Sequence, residues 1–158
     1  GEHATTRGVV RLMQGVVRPG DLVADLGAGS AVLAIAAAKL GAERVVAIEL
    51  DGEAIPDAEI NVRVNGVADR VTVLQGDAGL LLPLVAPVRV VLANIISSVL
   101  VDLLPRVERA LAPDGVVIVS GILQEERADM CSALDSMGWR VVAEDAEDIW
   151  WSATAVRA

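Results

Sequence analysis

Four polar side chains stand at or near the ends of apolar runs of strand length: Asp25, Glu49, Asp77 and Asn94. The first opens the stretch Asp25-Leu26-Gly27-Ala28-Gly29-Ser30-Ala31, between an apolar run at 22–26 and an Ala-rich segment at 31–40. Glycines at a strand-to-helix turn let the backbone bend tightly and approach a ligand closely. Glu49 lies 22 residues after Gly27, near the end of the β-branched run 44–50. An acid there is placed to accept hydrogen bonds from ribose hydroxyls. Asp51 is the alternative acid, and a solvated strand-end carboxylate is the chemically silent reading.

The nucleoside ligand can be narrowed. A dinucleotide fingerprint presents a helix N-terminus to a pyrophosphate and carries a third glycine. Here Asp25 precedes the glycines and would repel a pyrophosphate, and the third glycine is absent. An acid at that point suits a ligand with an ammonium group. S-adenosylmethionine, with an amine and a sulfonium, fits better than NAD.

Asp77 follows the run 70–76. It reads as the acceptor for the exocyclic amine of adenine, with the Ala78 backbone beside it, or as a helix cap or turn residue. Asn94 ends the run 88–95, where a polar side chain is costly to bury unpaired. At the carboxyl end of a strand it faces the ligand crevice, and its side-chain carbonyl can take a hydrogen bond from a substrate amine. Ser97 and Ser98 read as caps of the following helix.

These residues need a scaffold that brings strand ends together. Helices are expected over 5–17, 31–40, 53–65, 99–111 and 125–137. Strands are expected over 22–26, 44–50, 70–76, 88–95, 116–123, 139–144 and 150–156. Pro113-Asp114-Gly115 reads as a turn and 145–148 as a polar connection. Strands apolar on both faces, alternating with helices, call for a parallel sheet covered on both sides. The last two strands lack an intervening helix and should form an antiparallel edge hairpin. The expected fold is α/β: a three-layer Rossmann-like sandwich with a seven-stranded, mostly parallel sheet.

Composition limits the possible functions. With 54% hydrophobic residues in 158, the chain can bury a sizeable core and is not disordered. Its richest apolar stretch, 78–104, is broken by Pro83, Pro87, Arg89 and Asn94, too often for a membrane span. A net charge of −9 makes it a poor general binder of nucleic-acid backbones and compatible with a basic protein partner. Cys131 is the single cysteine, so there is no internal disulfide and no Cys-rich metal site. A cytoplasmic location is the default. Of the tryptophans, Trp150 and Trp151 read as core residues of the edge hairpin.

Together these residues resemble a class I S-adenosylmethionine-dependent methyltransferase over nearly the whole chain. Four stretches, GEHATT, DLGAGSAVLAIAAAKLGA, LANI and SGIL, are similar in order to the PrmA-type enzymes, which methylate amino groups of a large-subunit ribosomal protein. The resemblance implies Asp25, Gly27, Ala28 and Gly29 around the methionine part of the cofactor. It implies Glu49 and Leu50 at the ribose, and Asp77 and Ala78 at the adenine. Asn94 falls at the methyl group and orients the acceptor. Thr5 and Thr6, which alone would read as helix caps, reach the cofactor from the N-terminal side. His3 matches the family's G-x-H-x-T-T pattern. Ala31 replaces a glycine usual in the family, and Glu49 replaces the commoner Asp.

The family's N-terminal recognition domain has no counterpart in these residues. A single domain is expected, either a trimmed catalytic domain or a stand-alone relative with another acceptor. Methyl transfer to nitrogen needs a neutral amine aligned with the methyl carbon. Asn94 is the expected orienting group, and solvent removes the proton in preference to His3. A methyltransferase for a small-molecule amine and a non-catalytic cofactor-binding module are the competing readings.

Overall fold

The structure, a computed structural model, describes the backbone of residues 2–158 and the side chains of residues 4–158. The side chain of His3 lies outside the described residues. Fourteen elements follow in chain order. They are α1 (Glu2–Met13), β1 (Leu22–Leu26), α2 (Val32–Lys39), β2 (Arg44–Glu49), α3 (Ile55–Val64), β3 (Val71–Gln75), α4 (Ala78–Val85), β4 (Val88–Asn94), α5 (Ser97–Ala110), β5 (Leu111–Leu123), a short 3-10 turn (Gln124–Glu126), α6 (Arg127–Ser136), β6 (Trp139–Glu147) and β7 (Trp150–Arg157).

The seven strands form one sheet in the order β3-β2-β1-β4-β5-β7-β6. The first five are parallel, and β7 runs antiparallel to both β5 and β6. Strand order reverses between β1 and β4. Doubly wound sheets bind ligands in the crevice outside the strand carboxyl ends at such a reversal. Asp25 and Asn94 sit at those two ends.

The unbroken apolar runs of the central strands have a direct cause. Val91 and Ala93 of β4 pack into a core with Leu82, Leu100, Leu104 and Leu134 from α4, α5 and α6. Val90 and Leu92 pack into the opposite core with Val9, Met13, Ala34 and Val62 from α1, α2 and α3. Both faces are covered, so neither can be polar. Arg89, which interrupts the run, forms a buried pair with Asp21: Nε donates to Oδ1 at 2.6 Å and Nη2 to Oδ2 at 2.9 Å.

Several local expectations are corrected. Helix α1 begins at Glu2, so Thr5 and Thr6 lie inside it rather than before it. It ends at Met13, four residues before the expected end. Helix α5 begins at Ser97, with Ile96 at the N-cap position and no side-chain cap. The Ser97 hydroxyl instead donates to Glu126 Oε2 at 2.7 Å. Pro113-Asp114-Gly115 falls within β5: the chain leaves the ladder with β4 after Leu111 and rejoins it at Val116. Strand β6 continues to Glu147, so Asp145 and Glu147 belong to the strand rather than a loop. The segment 78–85, read only as part of a mixed apolar stretch, is a separate helix.

Ala31 is buried at the N-cap of α2 with φ 69°, in the left-handed region that glycine favours. Its methyl group joins the core cluster of α1 and α2 rather than crowding the loop.

Candidate functional site

Gly27 connects β1 to the loop before α2 and has φ +73°. A methyl group at its Cα would stand 2.9 Å from Ile95 Cγ2, so conformation and space both require glycine. The Gly27 and Ala28 N–H groups both donate to the Ile48 carbonyl of β2, at 2.9 and 3.0 Å. The Gly29 N–H donates to Glu49 Oε1 at 2.7 Å. The glycine loop is thereby docked on the end of the neighbouring strand.

A cleft of two lobes opens at the switch point. One, of about 630 Å³, is lined by Thr5, Thr6, Asp25, Gly27, Ala28, Gly29 and Asn94, among others. The second, of about 390 Å³, is lined by Glu49, Leu50, Asp77 and Ala78 with further residues of α5. Gly27 and Ile95 line both lobes. Every residue that the resemblance places at the cofactor lies on one wall or the other, and Asp51, the alternative acid, is on neither.

Asp25 is buried, and its Oδ2 atom has no hydrogen-bond partner. Burial pushes its carboxyl up to about 7, a hydrogen bond from the Ala34 backbone opposes this, and the nearby Glu49 charge adds to it. A buried carboxyl without a partner is costly to ionise, so the charged form calls for a cationic partner.

Glu49 is half-buried at the end of β2, with Oε2 accepting from the Asp51 N–H at 2.8 Å. Each carboxylate oxygen keeps a further lone pair for a ligand hydroxyl. Asp51, the alternative acid, accepts from the Glu53 N–H at 2.9 Å and serves its own turn. Asp77 caps α4, accepting from the Leu80 N–H at 3.1 Å, and also lines the second lobe. The cap reading therefore holds, and the residue also stands on the wall of the second lobe. Leu50 is exposed beside Glu49 and gives that lobe an apolar edge.

Thr5 and Thr6 reach the cleft because α1 lies across the antiparallel end of the sheet. Arg11 donates to both Asp145 carboxylate oxygens of β6 at 2.7 Å, and to Glu147 Oε1 at 2.9 Å. Arg7 binds Glu147 as well. Hydrogen bonds from Arg7 and then Arg11 hold the Glu147 carboxyl down at about 2. Gly8, between the arginines, lets the helix close on Asp145 and Ser152, each 3.1 Å from where a methyl group would sit.

Among the lining residues that sequence reasoning missed, two stand out. Trp150, expected in the core, is half-buried on the first lobe. Trp151 is the core residue, with its indole N–H donating to Glu144 Oε1 at 2.8 Å. Gly121 also lines the first lobe. Its signal was present in the SGIL stretch, but no role followed from spacing.

The family model for "Ribosomal protein L11 methyltransferase (PrmA)" matches residues 1–158. The chain belongs to the ribosomal protein L11 methyltransferase family. A family member from Pelotomaculum thermopropionicum is 45% identical over 150 residues, covering 95% of this chain and 48% of that protein. One from Thermus thermophilus is 38% identical over 150 residues, covering 95% and 58%. The crystal structure of the ribosomal protein L11 methylase from Lactobacillus delbrueckii subsp. bulgaricus superposes with a TM-score of 0.87. It is 32% identical, with 98% of this chain and 79% of that chain covered. The chain spans about half the length of the curated relatives it matches. Among the described residues, no helix is long and apolar enough to cross a membrane. None of them forms a group of three or more His, Cys, Asp or Glu placed to hold a metal ion.

Proposed function

We propose that residues 1–158 act as a single catalytic domain of an S-adenosylmethionine-dependent N-methyltransferase. Its acceptor is an amino group, a lysine side chain or an N-terminal amine, of a ribosomal protein. One observation carries this reading. Asp25, with its unpartnered buried oxygen, Asn94 and Glu49 line two lobes that share Gly27 and Ile95.

When bound, S-adenosylmethionine supplies an electrophilic methyl group carried on a sulfonium. Asp25 holds the ammonium of the methionine part, with Gly27, Ala28, Gly29, Thr5 and Thr6 as the surrounding wall. Glu49 accepts from the ribose hydroxyls, and Leu50 covers that edge. Asp77 accepts from the adenine amine beside Ala78. Asn94 Oδ1 accepts an N–H of the acceptor amine and turns its lone pair toward the methyl carbon. The acceptor loses its proton to solvent first. Holding the reactants in line supplies most of the rate gain in such transfers, on the order of 7–11 kcal/mol in favourable cases.

The loop is unsuited to a dinucleotide pyrophosphate. The amides of Gly27, Ala28 and Gly29 are already bonded to Ile48 and Glu49, and an acid stands beside them. An anion cradle needs those N–H groups free. The net charge of −9 favours a basic protein acceptor over nucleic acid and fits the family's ribosomal protein. The cytoplasm is the corresponding location.

Incubation with isotope-labelled S-adenosylmethionine, purified ribosomal protein L11 and a panel of small amines tests this. Mass spectrometry should find label on amino groups of the protein. Label on small amines alone overturns the choice of acceptor, and cofactor binding without transfer to any acceptor overturns the enzyme reading.

A further inference from the structure

Gly121 follows Ser120 in β5, and Ser120 is the sheet partner of Asn94. The glycine has φ +78°, and a methyl group at its Cα would stand 2.9 Å from Asn94 Oδ1. The same point lies 3.3 Å from the Ile95 carbonyl oxygen and 3.5 Å from the Ile95 nitrogen. The empty space over Gly121 is therefore walled by two acceptor oxygens, one from a side chain and one from the backbone.

Both neighbours of Gly121 are anchored, although the ladder with β7 shifts register between Val119 and Ile122. Ser120 is fully buried and its hydroxyl is hydrogen-bonded to that of Ser152 on β7 at 2.8 Å. Ile122, on the other side, is fully buried in the core. Neighbours pinned on both sides leave one soft element, the rotatable carboxamide of Asn94. A Cβ contact of 2.9 Å is too short to persist, so that side chain must turn.

We infer that Gly121 is a positioning residue: its missing side chain keeps the Asn94 carboxamide oxygen in the first lobe, directed at the acceptor amine. This rests on the reading of Asn94 as the acceptor-orienting group. It accounts for the glycine of the SGIL stretch.

The test is a double-substitution cycle on the full chain, using labelled S-adenosylmethionine and ribosomal protein L11 as acceptor. Gly121→Ala should lower kcat on the order of 10- to 100-fold, as expected for a misplaced orienting group. Its affinity for S-adenosylmethionine should stay within about twofold, since the contact falls on Asn94 and not on the glycine loop. Added to Asn94→Ala, Gly121→Ala should lower kcat no further. Gly138→Ala is the control: Gly138 has φ +87° with nothing within 4 Å of an added methyl group, so it carries the backbone cost without the neighbour. It should retain wild-type kcat.

Thermal unfolding keeps the inference testable if Gly121→Ala is poorly folded. Removing the Asn94 side chain removes the contact, so Gly121→Ala/Asn94→Ala should melt several degrees above Gly121→Ala. Equal melting of the two overturns the inference. So does a full kcat loss from Gly121→Ala in the Asn94→Ala background. If Asn94→Ala lowers turnover and Gly121→Ala does not, the inference fails and the reading of Asn94 stands. If Asn94→Ala itself leaves turnover unchanged, that reading fails and takes the inference with it.

Discussion

Glu49 Oε1 accepts the backbone N–H of Gly29 at 2.7 Å, joining the end of β2 to the loop that follows β1. One carboxylate thus holds the glycine loop in place and faces the second lobe of the cleft. The pairing adds a structural role to the proposed ribose contact, and a single substitution removes both.

Glu49→Ala should therefore weaken S-adenosylmethionine binding by about tenfold or more, given roughly 1.5–3 kcal/mol for hydrogen bonds to a charged group. Titration calorimetry measures it directly. Equal affinity in the variant removes Glu49 from the cofactor site.

Asp25 should make stability and cofactor binding depend on pH in opposite directions. Burial raises its carboxyl from the ordinary 3.8 to about 7. Between these values the folded protein keeps a proton that the unfolded chain has lost. Stability contributed by this group therefore falls as pH rises from about 4 to about 7, then levels. Asp25→Asn should remove that decline and stabilise the protein at pH 8 by roughly 4 kcal/mol, at about 1.36 kcal/mol per pKa unit. Denaturant melts at pH 5 and pH 8 decide it. A cationic ligand favours the ionised carboxylate, so S-adenosylmethionine affinity should rise from pH 5 toward pH 7 in the parent chain and stay flat in Asp25→Asn.

Asn94→Ala should leave S-adenosylmethionine affinity within about twofold and reduce kcat on the order of 100-fold, the scale of a misoriented reactant. Single-turnover transfer to ribosomal protein L11 separates the two quantities. Wild-type turnover in the variant excludes Asn94 as the orienting group.

The ion pairs of Arg7 and Arg11 with Asp145 and Glu147 strap α1 over the first lobe. Glu147→Ala should loosen that wall and weaken cofactor binding several-fold. Salt should do the same to the parent chain, because exposed pairs are screened as the Debye length falls to about 3 Å at about 1 M ionic strength. The variant should be much less salt-sensitive. Glu147 is held down at about 2 against an ordinary 4.5, so the strap is intact above about pH 4.5 and fails toward pH 2. Parallel salt titrations of cofactor affinity compare the two proteins, and identical salt slopes count against the strap.

Much of this fold was legible in the chain alone, because its signals are local. Apolar runs of strand length mark strands buried on both faces, and the glycines at 27, 41, 66 and 138 mark turns where φ is positive. Asp25, Glu49, Asp77 and Asn94 could be selected because strand ends converge in any sheet of this kind. The errors were local competitions decided by distant partners. Ser97 caps nothing because Glu126 takes its hydroxyl, and Asp145 is strand because β7 pairs with it.

The order of apolar and polar residues by itself determined the layers, the parallel core of the sheet and the strand ends that form the cleft. Periodicity and strand-end position are properties of neighbouring residues. Tertiary structure alone decided that Arg7 and Arg11 meet Glu147 from the far end of the chain, that Trp150 faces the cleft while Trp151 fills the core, and that Gly121 stands against Asn94. It also decided that Asp25 carries a carboxyl raised to about 7. These are consequences of burial and of contact between residues far apart in sequence, which no local pattern encodes.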